Sequence, residues 1–319
     1  MGGVNYCILT FIRSLTISSV DVFVLITGYF LCTSYKRTIR KPLDLLIQVS
    51  LFSVTIYLSL ILLGAESFSI KGLLGNIVPD DWFISLYVVL YLISPYINAG
   101  FCTMTKKDWK VFLIIIVSLF SISPTLLGIT ESFGVRLTAL STIGIGGNAA
   151  GYTLINFITL YCIGAYIRLF NISDRVSFKK TSIAITICVI LLWLIRFIPI
   201  NSTPWHIAGW YDNILVIILA SSLFITFKKL KFRSKMINAL ALASLTVYII
   251  HYPLFKLVNP VQTLHMPIAF ALLHIALFVI SLLAIAFIMN FIYSRCSAKY
   301  MGFFDKYRVP YFENNKDYK

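Results

Sequence analysis

Long apolar blocks alternate with short polar ones along the whole chain, and the two-residue alternation of half-buried strands is absent over long stretches. Nine blocks stand out, at about 8–32, 43–63, 82–100, 111–129, 153–170, 182–198, 211–227, 238–257 and 268–293. At 1.5 Å per residue, runs of roughly 17–26 residues cross a hydrocarbon core of about 30 Å. The pattern predicts an all-α fold, a polytopic transmembrane helical bundle of about nine spans, and argues against a transmembrane barrel. The weakest span is 211–227, which is short and opens on Tyr211-Asp212-Asn213. On a helical wheel of the first block, Ser14, Ser18, Asp21, Leu25, Gly28 and Cys32 share one face. That face is small and polar, so it is predicted to point into the bundle.

Composition sharpens this picture. The chain has 319 residues, 59% of them hydrophobic and only 12% charged, about half the charge of a soluble domain. No soluble domain is expected. Residues 1–294 read as one membrane domain and 295–319 as a basic tail. The net charge of +15 at first suggests nucleic acid, but 22 of the 27 Lys and Arg lie in alternate loops. These are 33–42, 101–110, 168–181, 228–237 and the tail; the other side carries only Arg13, Lys71, Arg136, Arg196 and Lys256. The positive-inside rule places the first set in the cytoplasm, with the C-terminus. Topology thus accounts for most of the charge, and no nucleic-acid partner is expected.

Nine spans then put Met1 outside. No cleavable signal peptide is visible, since 8–32 is too long and lacks a basic leading segment. An odd span count with a translocated start predicts a further span upstream of Met1. The six Cys are scattered without CxxC or metal spacing and read as small apolar residues. Neither half repeats the other well enough to suggest an inverted-repeat transporter. The main polar stretch outside the tail is the Gly-rich outer loop 130–152.

Chemistry-bearing residues are few. Asp21 lies near the middle of a span, where an ionised carboxylate costs at least a few kcal/mol; it is either a packing contact or a site carboxylate. Intramembrane His251 is the best general-base candidate, because neutral imidazole is tolerated there and titrates near neutrality; the other reading is a helix–helix hydrogen bond. His206 and His265 fall in outer loops and His274 in the outer third of the last span. No HExxH or second His at ligand spacing occurs, so no metal site is predicted. Arg37 and Arg40, at the inner mouth of the first span, are either plain topology charges or forks for phosphate oxygens. Trp82, Trp205 and Trp210 suit stacking on sugar rings, or equally an interfacial aromatic belt. Arg196 either snorkels to head groups or faces a site. GxSxG, P-loop and GxGxxG motifs are missing, which removes serine hydrolases and nucleotide-driven pumps.

Four segments in order carry a resemblance. "VDVFVLITGYFL" around 21–31 with Arg37-x-x-Arg40 after it, "DWFISLYVVLYLISPYIN" at 81–98, "LINFITLYCIGAYIR" at 154–168 and "LASLTVYIIHYPLF" at 242–255 together resemble the integral-membrane acyltransferase 3 family. Thr27 stands where that family commonly has Ser, and Asp21 where many relatives have a small or amide residue. The resemblance implies a ten-helix enzyme of the bacterial inner (cytoplasmic) membrane. It implies O-acylation of a cell-surface or capsular polysaccharide, or a lipid-linked glycan precursor, with cytosolic acetyl-CoA as co-substrate and no bound cofactor. It favours the phosphate reading of Arg37 and Arg40. Relatives begin with a helix carrying an inner Arg and an outer His assigned as catalytic. Nothing before residue 8 holds that helix, so the start is expected to lie upstream of Met1, or the product to be truncated and inactive. His251 matches a different family position. The competing expectation is a transporter or flippase for a glycan or lipid-linked sugar.

Overall fold

The computed structural model describes residues 3–34, 38–78, 81–135, 150–197, 199–200, 203–204, 206–230, 233–258 and 260–304. Helix fills each of the nine predicted blocks. The first block is split into α1 (Val4–Thr16) and α2 (Ser19–Leu31). Hydroxyls loosen the junction: Ser14 Oγ donates to Thr10 O, Thr16 Oγ1 to Ile12 O and Ser19 Oγ to Thr16 O. Such back-bonding competes with the helical ladder and bends it. Then come α3 (Arg40–Leu62), the short α4 (Ile70–Ile77) and α5 (Trp82–Cys102). α6 (Lys106–Val117) continues through a π-helical turn at Ser118–Ile122 into α7 (Ser123–Ser132). Thr105 and Asp108 form a reciprocal capping box at the start of α6, which fixes that start at the end of the basic loop.

The second half holds α8 (Leu154–Leu169), the one-turn α9 (Ile172–Arg175), α10 (Phe178–Ile195), α11 (Ile214–Lys229), α12 (Lys235–Leu254), α13 (Pro260–His265) and α14 (Ile268–Phe304). A two-residue antiparallel pair, Pro199–Ile200 with Thr203–Pro204, precedes a 3-10 turn at His206–Gly209. Among the described residues, eight helical stretches are long and apolar enough to cross a membrane. The ninth, α8, is apolar but only 16 residues long, about 24 Å. Nine of its residues are buried, so α8 is an interior helix. The last helix runs past the predicted end at 293 to Phe304.

The chain divides into two units, with the boundary inside α5. One unit comprises residues 1–6, 38–85 and 232–311. Here α3, α12 and α14 pack around Val49, Phe52, Ile56, Leu60, Ala243, Ile250, Leu282 and Ala286. Asn290 ties the three together. Its Oδ1 accepts from Gln48 Nε2 (3.3 Å) and Thr246 Oγ1 (2.6 Å), and its Nδ2 donates to Leu242 O (3.3 Å). Tyr293 hydrogen-bonds Asp44 on α3 as well.

The other unit comprises residues 7–37, 86–231 and 312–319. Its centre is the crossing of α2 and α8. A Cβ added at Gly28 would lie 2.2 Å from Tyr161 O, and one at Gly164 2.3 Å from Leu25 O. The two backbones touch, as small residues allow in membrane helices. This explains the glycine of Thr27-Gly28-Tyr29. The Thr27 hydroxyl donates to Phe23 O on its own helix (2.9 Å). All six residues of the predicted polar stripe, Ser14, Ser18, Asp21, Leu25, Gly28 and Cys32, are buried.

Candidate functional site

The unit built on α3, α12 and α14 contains Arg40, Trp82 and His251 of the residues singled out from sequence. His251 sits in the last turn of α12, just before Pro253. Its Nδ1 hydrogen-bonds Tyr248 O, one turn back. A carbonyl only accepts, so in the neutral imidazole Nδ1 carries the proton and Nε2 keeps a lone pair. Among the described residues nothing hydrogen-bonds Nε2. Tyr248 is itself held: its hydroxyl donates to Asp81 Oδ1 (3.0 Å) and its ring tilts against Phe83, centroids 5.2 Å apart. The same Asp81 oxygen accepts from Ile84 N (3.0 Å) and so caps the start of α5, whose first residue is Trp82. Asp81, Tyr248 and His251 thus form a chain of contacts, the Tyr248 and His251 rings lying 5.7 Å apart. Both α5 and α12 present these ends away from their basic loops, at Lys106 and Lys235. Sequence reasoning missed Asp81 and Tyr248. The available signals were an acidic residue directly before a helix start and a Tyr one turn before the His.

The other histidines are placed differently. His274 Nδ1 is engaged by Thr263 Oγ1 (2.9 Å). The side chain of His206 lies outside the described residues. Arg37 and Trp205 also lie outside them, while Arg40 opens α3, half-buried.

In the α2–α8 unit, Asp21 is fully buried at 0% exposure. Neither of its carboxyl oxygens has a hydrogen-bond partner among the described residues, and the same is true of Ser18 Oγ, Asn156 Oδ1 and Asp212 Oδ1. Asp212 lies within electrostatic reach of Asp21, and Tyr211 within reach of Asp21, Arg13 and Tyr152. The rings of Tyr152 and Tyr211 meet edge-on at 5.2 Å. Trp210 packs over Gly128, its indole occupied with a helix backbone. Arg196 is buried and its Nη2 donates to Ala208 O (3.0 Å). Asp212 and Asn156 escaped notice because each is far from Asp21 in sequence. Among the described residues no three His, Cys, Asp or Glu side chains converge as a metal site would require.

A family model described as an acyltransferase domain, that of acyltransferase 3, matches residues 5–291. The chain belongs to the acyltransferase 3 family. The match runs from α1 to within α14, so it includes Asp21, Arg37, Arg40, Trp82, Trp205, Trp210 and His251 without assigning any of them a role. No curated protein and no solved structure matches the chain. Family membership and the apolar helices together make this a multi-pass membrane acyltransferase.

Proposed function

We propose that this acyltransferase moves an acetyl group from cytosolic acetyl-CoA to a hydroxyl of a cell-surface or capsular polysaccharide, or of its lipid-linked precursor, in the bacterial inner membrane. The observation that supports this chemistry is the contact of His251 Nδ1 with Tyr248 O, which in the neutral imidazole leaves Nε2 to act as the base. In the reaction, Nε2 takes the proton of the acceptor hydroxyl as its oxygen attacks the thioester carbonyl. The tetrahedral intermediate collapses with cleavage of the C–S bond. The imidazolium returns its proton to the leaving sulfur, giving the O-acetyl ester and CoA thiol. Of the tryptophans, Trp82 is the one that offers a ring face for a sugar; Trp210 has its indole against Gly128. Arg37 and Arg40, in a basic cytoplasmic loop, hold the donor phosphates. Asp21 is a separate candidate carboxyl within its own unit, and the basic C-terminal tail stays in the cytoplasm.

The test is transfer of label from acetyl-CoA to glycan in membranes. His251→Ala is expected to lose at least about 100-fold in rate, the scale of general acid–base catalysis, with unchanged protein level and melting temperature. Tyr248→Phe and Asp81→Asn, which loosen the brace, are expected to lose about tenfold, mainly in kcat. The double change Arg37→Ala/Arg40→Ala is expected to raise KM for acetyl-CoA. Full transfer by the His251 variant would sink the assignment of the base.

A further inference from the structure

Three helices of the α2–α8 unit end beside one another on a tyrosine. Tyr29 lies in the last turn of α2, Arg168 in the last turn of α8 and Lys228 in the last turn of α11. The Arg168 guanidinium carbon is 4.9 Å from the centroid of the Tyr29 ring, and Lys228 Nζ is 5.0 Å from the same centroid. Two cations therefore stand no more than about 10 Å apart, within one Debye length at physiological salt. Phe224 closes part of the ring's surroundings at 5.2 Å.

Cation–π attraction and the partial negative charge of helix C-termini account for cations gathering here. They do not account for how the charges are satisfied. Lys228 Nζ spends one donor on the buried Ser173 Oγ (2.7 Å). Among the described residues neither Lys228 nor Arg168 makes an ion pair, and the five N–H donors of Arg168 meet no acceptor. A guanidinium fork and an ammonium gathered on one tyrosine ring, without an ion-pair partner among the described residues, make a receptor for an oxyanion. The exit of α2 next to it is rigid. Asn98 Nδ2 donates to both Leu31 O (2.8 Å) and Ser34 O (3.1 Å), and Tyr161 OH donates to Asn98 Oδ1 (2.7 Å). The platform is therefore preorganised on three helices.

We propose that Tyr29, Arg168 and Lys228 form a phosphate-binding site and that, resting on the function proposed above, it receives phosphate of the acyl-CoA donor. Phosphate at a membrane has a second source, the head group of an anionic phospholipid, and the experiment separates the two. The full chain in nanodiscs of neutral phosphatidylcholine is titrated with CoA and with pantetheine, which lacks the phosphates. The same proteins are then melted in nanodiscs with and without phosphatidylglycerol. The variants are Arg168→Gln/Lys228→Gln and, because the Lys228 side chain is exposed, Lys228→Gln alone as the milder change, whose amide can still donate to Ser173. The expected result is a CoA Kd weakened about tenfold or more in the double variant, in keeping with loss of charge-assisted hydrogen bonds. The single variant should shift in the same direction, and pantetheine binding should stay unchanged. Unchanged CoA binding with lost stabilisation by phosphatidylglycerol would keep the phosphate site and overturn its donor assignment. Unchanged behaviour in both arms would overturn the site. Neither readout needs turnover, so failure of the acyl-transfer proposal would show separately, as CoA binding without transfer.

Discussion

Asp21 and His251 show how differently two intramembrane polar residues are accommodated. His251 is braced from the backbone outward, through Tyr248 and Asp81. Asp21 has no such brace, and both its oxygens are buried without a protein donor among the described residues. A buried carboxyl in that state is costly. Asp21→Asn keeps the shape, removes the buried carboxyl and adds two donors beside the electrostatic neighbour Asp212, whose own Oδ1 is unsatisfied. We expect this variant to be more stable by about 1 kcal/mol and to transfer acetyl at least tenfold more slowly. Thermal melts in detergent and the labelling assay check the two halves. Equal stability with full activity would remove Asp21 from the site. The stripe from Ser14 to Cys32 was legible in sequence because helical periodicity alone sorts a small, polar face from an apolar one. Tyr211 and Asp212, the electrostatic neighbours of Asp21, were not, since periodicity carries no information about which distant segment lies near that face.

At the scale of elements, the apolar blocks located every long helix because a span must satisfy its backbone internally and present apolar side chains to lipid. What they missed follows the same logic. The break between α1 and α2 comes from hydroxyls that hydropathy counts as neutral. α4, α9 and α13 are too short for a span pattern. The α2–α8 crossing was written in Gly28 and Gly164, but only the packed structure shows that they face each other's backbones. Gly28→Ala is expected to be severe for so small a change. Its Cβ would fall 2.2 Å from a carbonyl oxygen of α8, where neither backbone can yield without moving its helix. We expect loss of about 2–3 kcal/mol, in the overpacking range, read as a melting temperature drop and reduced yield. Gly3→Ala, with nothing within 4 Å, is the matched control.

For the whole molecule, the charge asymmetry makes a testable map of sidedness. Cys102 and Cys296 are exposed and flank basic segments; Lys71 is exposed on the side poor in basic residues. A membrane-impermeant maleimide is expected to label Lys71→Cys in intact cells, and Cys102 and Cys296 only after the membrane is opened. The reverse pattern would invert the topology and move His251 to the donor side. Charge could be read this way from sequence because insertion responds to simple counts of Lys and Arg, whereas the acceptor glycan leaves no comparable trace.

The last helix adds a further consequence. Its apolar block, 268–293, is 26 residues long, and only 17% of its most apolar 18-residue window is buried. A rod of that length measures about 39 Å, about a third longer than a hydrocarbon core of about 30 Å. Hydrophobic mismatch then obliges α14 to lean steeply, to project beyond the bilayer or to thicken the lipid around it. Because Asn290 and Tyr293 fasten α14 to α3 and α12, changes in acyl-chain length of the host lipids would bear directly on the helices that carry the imidazole.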